Sequence, residues 1–174
     1  MSDIAVVYTS KYGSAKQYAK WICEDTGADL FEADSCTLAD LADYSVVVYG
    51  GGVHAGGIEG IEFLKKNIKK LSGKKVIAFA VGINIFSEET QAQLREINFV
   101  KKMKDIPCWC FRGKYEPERV KGIDNKIMGF VKKMLSKKGD RTDEEEMLYK
   151  AITEGTDMID RNEIKPLVDE LKSL

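Results

Sequence analysis

Apolar residues fall along this chain in two rhythms. Nearly unbroken apolar runs occupy residues 4–8 (Ile-Ala-Val-Val-Tyr), 46–49 (Val-Val-Val-Tyr), 76–81 (Val-Ile-Ala-Phe-Ala-Val) and 106–111 (Ile-Pro-Cys-Trp-Cys-Phe). Their length and their β-branched or aromatic content predict buried strands, and Leu30 with Phe31 marks a weaker strand between Asp29 and Asp34. Between the runs, apolar positions recur at helical spacing. Ala15, Tyr18, Ala19 and Ile22 line one face of a helix that Thr26-Gly27 can stop. Ile61, Leu64, Ile68 and Leu71 line another, with Lys65, Lys66, Lys69 and Lys70 on its other sides and Ser72-Gly73 at its end. A short helix is predicted over residues 37–43, and one opened by Ser87-Glu88-Glu89 runs to about Val100. Thr142 with Glu145 forms a capping box ahead of Met147, Leu148, Ala151 and Ile152, the last main helix. Residues 156–174 read as a polar tail with a short helix around 167–171.

Strands that are apolar throughout and alternate with helices imply a parallel sheet covered on both faces. Right-handed crossovers leave few arrangements of five such strands. The common one is the order 2-1-3-4-5 in a three-layer α/β sandwich, which binds ligands beyond the carboxyl ends of strands one and three. The length, 174 residues with 44% hydrophobic content, predicts one domain over 1–174. Residues 114–141 stand out as an insertion.

Two unusual loops fall at that crevice. Thr9-Ser10-Lys11-Tyr12-Gly13-Ser14 follows strand one and leads into a helix, with Ser14 and Gln17 spaced as a capping box. Free backbone N–H groups and the positive end of the helix dipole favour a phosphate there. After strand three comes Gly50-Gly51-Gly52-Val53-His54-Ala55-Gly56-Gly57, five glycines in eight residues, read as a loop that lets a ligand approach its backbone.

Residue type tests the possible occupants. A receiver domain needs acidic side chains after strand one and at the end of strand three, where this chain has Thr-Ser and Gly-Gly. A nucleotide P-loop needs G-x4-G-K-[ST], which is absent, and the glycine run lacks a full G-x-G-x-x-G. What remains is a ligand with one terminal phosphate and a flat ring, which describes FMN. Thr9, Ser10 and Ser14 hydroxyls with N–H groups near Gly13 to Ala15 would hold its phosphate, with Lys11 outside and Tyr12 on the cap or the ribityl chain. Backbone of Gly51, Gly52, Val53, His54, Ala55 and Gly56 would face the ring, joined by Gly82, Ile83 and Asn84 after strand four. No catalytic residue and no metal ligand is assigned.

Charge adds local detail only. The formal net charge is −1, which gives no global attraction for nucleic acid or an acidic membrane, so any electrostatic argument must be local. Residues 114–141 carry nine basic and four acidic side chains, a net of +5, whereas 142–174 carry four and ten, a net of −6. Cys23, Cys36, Cys108 and Cys110 fit neither a disulfide framework nor C-x2-C zinc spacing, so Cys108 and Cys110 are expected to pack side by side as small apolar groups. With no signal-peptide pattern and no run of eighteen apolar residues, a soluble cytoplasmic protein is expected.

The motifs Y-T-S-K-Y-G-S-A-K and V-V-V-Y-G-G-G-V-H-A-G-G resemble the flavodoxin-like family over about residues 3–155. Within it the chain looks most like the branch containing menaquinone-dependent protoporphyrinogen oxidase, on the strength of Ile61-Glu62-Phe63-Leu64-Lys65-Lys66, Phe111-Arg112-Gly113-Lys114-Tyr115 and residues 127–134. The resemblance implies FMN and electron transfer with a quinone-like or tetrapyrrole-like acceptor, or a redox partner protein. Two alternatives stand beside it, a small one-electron carrier and a flavin-free interaction domain. Ala15 departs from the family's usual Thr, and of the aromatic residues that could flank a ring, only His54, Phe86 and Trp109 lie nearby. In residues 123–138, Ile127, Phe130, Val131, Met134 and Leu135 share a helix face with lysines around it. Packing on the core is the favoured reading of that face, with docking to a membrane surface or acidic partner as the alternative.

Overall fold

The computed structural model describes residues 3–174. Strands β1 (Ile4–Thr9), β2 (Asp29–Glu32), β3 (Val46–His54), β5 (Lys75–Gly82) and β6 (Cys108–Arg112) form a sheet in the order β2-β1-β3-β5-β6, with every neighbouring pair parallel. This is the 2-1-3-4-5 order of an α/β flavodoxin-like sandwich. A two-residue strand, β4 (Gly57–Ile58), folds back antiparallel on the end of β3.

Side chains along the central strands alternate between two cores, as the period-two pleat requires. Ala5, Val7, Val47, Tyr49, Ala78 and Ala80 face one side, where they meet Leu64 of α2 (Glu62–Asn67) and Leu94 of α3 (Glu88–Asn98). Val6, Tyr8, Val46, Val48, Ile77 and Phe79 face the other, against Tyr18, Ala19 and Ile22 of α1 (Ser14–Thr26).

The C-terminal segment belongs to this second core. Residues 156–174 carry the short helix expected there, α6 (Lys165–Lys172), but the segment is not a polar tail, because Leu167, Val168 and Leu171 are buried together with Ile164. Tyr18 ties the segment down. Its hydroxyl donates to the Arg112 carbonyl at 2.6 Å and accepts from the Asp160 N–H at 3.1 Å, and burial raises its pKa to about 12. Glu163 adds an acceptor for the Arg112 N–H at 2.7 Å and an ion pair with the Arg112 guanidinium. The apolar positions of α6 are few because the helix is short. Its buried face is therefore outweighed in composition by the polar residues around it.

Other boundaries differ for local reasons. Residues 38–43 form successive turns in place of a helix, with hydrogen bonds reaching back three residues while Asp40 captures the Thr37 N–H at 2.8 Å. Helix α2 stops at Asn67, and turns carry the chain on to Leu71. The last sheet strand begins at Cys108, two residues later than the apolar run, and Cys108 and Cys110 pack on the same core. The glycine run is the main correction. Gly50, Gly51 and Gly52 are not a loop; they continue β3 and pair with β1 and β5. Glycine holds there because neighbours occupy the space a side chain would need: a Cβ on Gly50 would sit 1.9 Å from the Phe79 ring, and one on Gly51 would sit 2.5 Å from the Glu59 carbonyl oxygen.

The insertion comprises β7 (Lys114–Tyr115), a 3-10 turn at Pro117–Arg119 and α4 (Gly122–Ser136), which packs on α5 (Asp143–Glu154). Strand β8 (Thr156–Asp157) pairs antiparallel with β7. The capping box at Thr142 and Glu145 forms as expected. The favoured reading of α4, an apolar face packed on the core, is not met. Leu135 is buried, but Ile123, Phe130 and Met134 are 73%, 69% and 54% exposed.

Because α6 completes a core layer, Leu167→Ala is expected to lower unfolding stability by about 2–5 kcal/mol in urea titration. A loss under about 0.5 kcal/mol, the range of surface substitutions, would show that the segment does not contribute to the cooperative core.

Candidate functional site

Pairing of β1 with β3 in register, down to Thr9 opposite Gly51, brings the ends of both strands to one edge of the sheet. The turn after β1 is held from within. Gly13, at φ 96°, is the residue before α1, and its N–H donates to Ser10 Oγ at 3.1 Å. Nothing lies within 4 Å of where its Cβ would be, so backbone conformation alone calls for glycine. The expected Ser14 capping box is absent, since Ser14 already lies inside the helix. Its Oγ instead accepts from the Lys114 N–H at 3.3 Å, tying β7 to the start of α1. The helix ladder begins with Gln17 N–H to Gly13 C=O at 3.0 Å, which places the N–H groups of Ser14, Ala15 and Lys16 ahead of it.

The end of β3 is a tight hairpin. Ala55 (φ 48°) and Gly56 (φ 81°) are the two central residues between the His54–Gly57 pair, a geometry that needs left-handed backbone at both positions. Asn98 pins it. Its side chain, 1% exposed, donates to the Gly56 carbonyl at 2.8 Å and accepts from the Ile58 N–H at 2.7 Å.

Between these parts lies a cleft that opens to solvent at its mouth. The turn supplies Ser10, Lys11, Tyr12, Ser14 and Ala15, and the hairpin supplies Gly52, Val53, His54, Ala55 and Glu59. Val81, Gly82 and Ile83 come from the end of β5, and Gly113, Lys114 and Tyr115 from the end of β6 and from β7. Val120 and the α4 residues Asp124, Ile127 and Met128 close the far side. An apolar groove shares Val53, Ala55, Gly82, Ile83, Ile127 and Met128 with the cleft and extends to Leu94, Val131 and Leu148.

One carboxylate gathers the polar groups at the rim. Asp124 accepts from Lys11 Nζ at 2.6 Å and from the Tyr12 hydroxyl at 2.7 Å, with His54 Nδ1 at 3.9 Å. The hydrogen bond from Lys11, then that from Tyr12, holds the Asp124 carboxyl below its ordinary range. The same partnership, led by the hydrogen bond to Asp124, raises the Lys11 ammonium. Glu59 accepts from the Lys11 N–H at 3.0 Å and lies 3.7 Å from His54 Nε2. Lys11, Tyr12, His54 and the two carboxylates thus join the turn, the hairpin and α4 across the cleft mouth.

Eleven of the residues expected from sequence line this cleft: Ser10, Lys11, Tyr12, Ser14, Ala15, Gly52, Val53, His54, Ala55, Gly82 and Ile83. Thr9 points elsewhere: the Tyr49 hydroxyl donates to the Glu59 carbonyl at 2.8 Å, so Thr9 Oγ1 donates to it at 3.0 Å. Gly13 shapes the turn from outside the cleft, Gly51 lies within the sheet, and Gly56 and Asn84 line the neighbouring groove. Phe86 and Trp109 do not reach the cleft. Trp109 packs among the α6-side residues and donates to Glu170 at 3.2 Å, so the aromatic rings here are Tyr12 and Tyr115. Tyr115 lay in a segment already singled out by resemblance. Asp124 and Glu59 carried no sequence signal, because each is a lone acid brought in by a loop or an inserted helix.

A doubly wound sheet with a ligand cleft across the ends of β1 and β3 defines the class of protein. A family model described as a flavodoxin domain matches residues 5–143, and the chain belongs to that family. Curated proteins give no match to the sequence. Among solved structures, rubredoxin oxygen:oxidoreductase from Desulfovibrio gigas aligns at 13% identity and TM-score 0.46, over 99% of this chain and 37% of that one. A flavodoxin from the domain Archaea aligns at 18% identity and TM-score 0.44, over 63% of this chain and 83% of its own. A WrbA-like flavodoxin from Agrobacterium tumefaciens aligns at 17% and 0.43, over 62% and 82%. The chain therefore spans well under half the length of the oxidoreductase.

The depressed Asp124 carboxyl fixes the sign of a pH effect. The α4 contact it anchors is present above the ordinary carboxylate range and is lost as pH falls through the lowered value. Hydrogen exchange in α4, corrected for intrinsic rates, is expected to accelerate relative to α1 in strongly acidic solution. Asp124→Asn should bring that acceleration to neutral pH, and unchanged α4 exchange in the variant would exclude the anchoring role.

Proposed function

We propose that this chain is an FMN-dependent oxidoreductase that exchanges electrons with a flat quinone-like or tetrapyrrole-like molecule, as in the branch containing menaquinone-dependent protoporphyrinogen oxidase. The observation that supports the reading is the cleft itself, lined by the start of α1, with its free N–H groups, and by the hairpin after β3, with the backbone of Gly52. The residues fit FMN in kind. The Ser10 and Ser14 hydroxyls and the N–H groups opening α1 are the neutral donors that hold a phosphate at a helix N-terminus, with Lys11 alongside. Gly52 and Gly82 bring backbone without a side chain of its own to the cleft lining, with His54 and Glu59 beside the first and Ile85 beside the second, and Tyr12 and Tyr115 supply aromatic faces. When bound, FMN supplies the electron-carrying ring, and hydrogen bonds from these backbone groups are the protein's means of setting its potential.

What α4 does to the cleft favours a small acceptor over a large one. Ile127 and Met128 wall the side away from the sheet, and the shared apolar groove provides room beside the ring site for a second flat apolar molecule. A protein partner would have to reach the ring past that wall.

Purified protein is expected to take up FMN with quenching of flavin fluorescence, and the absence of any uptake would remove the reading. Ala15→Ser, which adds a hydroxyl at the helix start, should tighten binding roughly fivefold, the equivalent of one neutral hydrogen bond. No change would place the phosphate elsewhere. Stopped-flow reoxidation of the reduced holoprotein by a soluble quinone should be fast. Slow reaction with quinone, alongside fast reaction with a redox protein, would favour a one-electron carrier.

A further inference from the structure

The exposed side of α4 is hard to reconcile with contact to water alone. Ile123, Ile127, Phe130 and Met134 follow one another at spacings of four, three and four, so they form a single stripe along the helix. They are 73%, 39%, 69% and 54% exposed. The adjoining face, about 100° round the helix and carrying Met128, Val131 and Leu135, turns toward the protein. Apolar residues extend beyond the packed face, so packing against the domain uses only part of what this helix offers.

Charge around the stripe is of one sign. At 100° per residue, Lys126, Lys133 and Lys137 fall in the row beside it, and all three are exposed. Among the described residues none of the three is paired with a carboxylate. Residues 121–138 carry six lysines against one acid, Asp124, whose carboxylate is turned inward to Lys11 and Tyr12. In a chain with net charge −1, this helix is a local cationic and apolar ridge.

We propose that α4 docks the protein on an anionic bilayer surface, with Ile123, Phe130 and Met134 among the upper acyl chains and the lysines at the headgroups. An interfacial helix needs a convex apolar stripe flanked by long cationic side chains, whose stems cover apolar surface while the charged ends reach the headgroups. Those are the features present. No helix among the described residues is long and apolar enough to cross a membrane, so the contact is peripheral. Docking in itself requires no cofactor. Its consequence for chemistry rests on the FMN reading: Ile127 belongs both to the stripe and to the cleft wall, so a docked molecule would open its cleft beside the lipid, where apolar acceptors dissolve.

Sedimentation of the full chain with phosphatidylglycerol–phosphatidylcholine vesicles tests the proposal. Binding is expected on these vesicles, weak binding on phosphatidylcholine alone, and release by added salt. Lys126→Gln with Lys133→Gln should weaken binding roughly fivefold per lysine, and Phe130→Glu with Met134→Glu should abolish it. Phe130→Ser with Met134→Ser probes the same contact if the Glu pair fails to fold. None of these side chains lines the cleft, so FMN titration of each variant separates this proposal from the cofactor reading. No binding by the unaltered chain, or equal binding by the stripe variants, would overturn it. So would a stripe substitution whose only effect is to dissociate a dimer, which would assign the stripe to a second copy of the chain.

Discussion

Parallel pairing of β1 with β3 is the constraint on which the site depends. Two strands that are not consecutive in sequence are held side by side from Ile4 opposite Val46 to Thr9 opposite Gly51. Their hydrogen bonds place the hydroxyl turn and the hairpin within reach of each other. A parallel pair of this kind must be buried on both faces, which the two cores on either side of the sheet provide. The end of β3 meets a second demand, close approach. Phe79 lies over Gly50, the chain around Glu59 lies over Gly51, and Gly60 (φ 69°) would bring a Cβ to 2.2 Å from Thr9 Oγ1. These glycines are packing positions, and only further along, at Gly52, does bare backbone become cleft wall.

Around this frame the chain adds two elements that a minimal doubly wound domain does not require. The C-terminal segment locks the open side of α1 through Tyr18, Glu163 and the buried face of α6. The insertion reaches over the ligand edge, held at one end by the Lys114 N–H on Ser14 Oγ and at the other by Asp124 on Lys11 and Tyr12. Both holds fall on the turn where a phosphate is proposed to bind. Lys11 both holds Asp124 and lines the cleft, so one side chain serves the seating of α4 and the cleft mouth. One helix of fifteen residues thereby serves as cleft wall on one side and as an exposed apolar ridge on another.

Hydrophobic periodicity was enough to determine the sheet, its strand order and the edge at which the cleft opens, because buried parallel strands leave an unmistakable apolar signature and topology then limits the arrangements. It was also enough to pick out most of the turn and hairpin residues of the cleft, since their backbone chemistry is local. Tertiary structure decided the rest. Whether the glycine run was loop or strand depended on Phe79 and Glu59, which lie far from it or beyond its turn in sequence. Whether residues 156–174 were tail or core depended on a partner face on α1. The roles of Asp124, Glu59, Asn98 and Tyr115 arise from contacts across 40 to 113 positions of sequence, such as Asn98 with Ile58 and Lys11 with Asp124, and no local pattern encodes them. The two apolar sides of α4 were legible as residues, but which side would face water was set only when the inner one met α5 and the cleft.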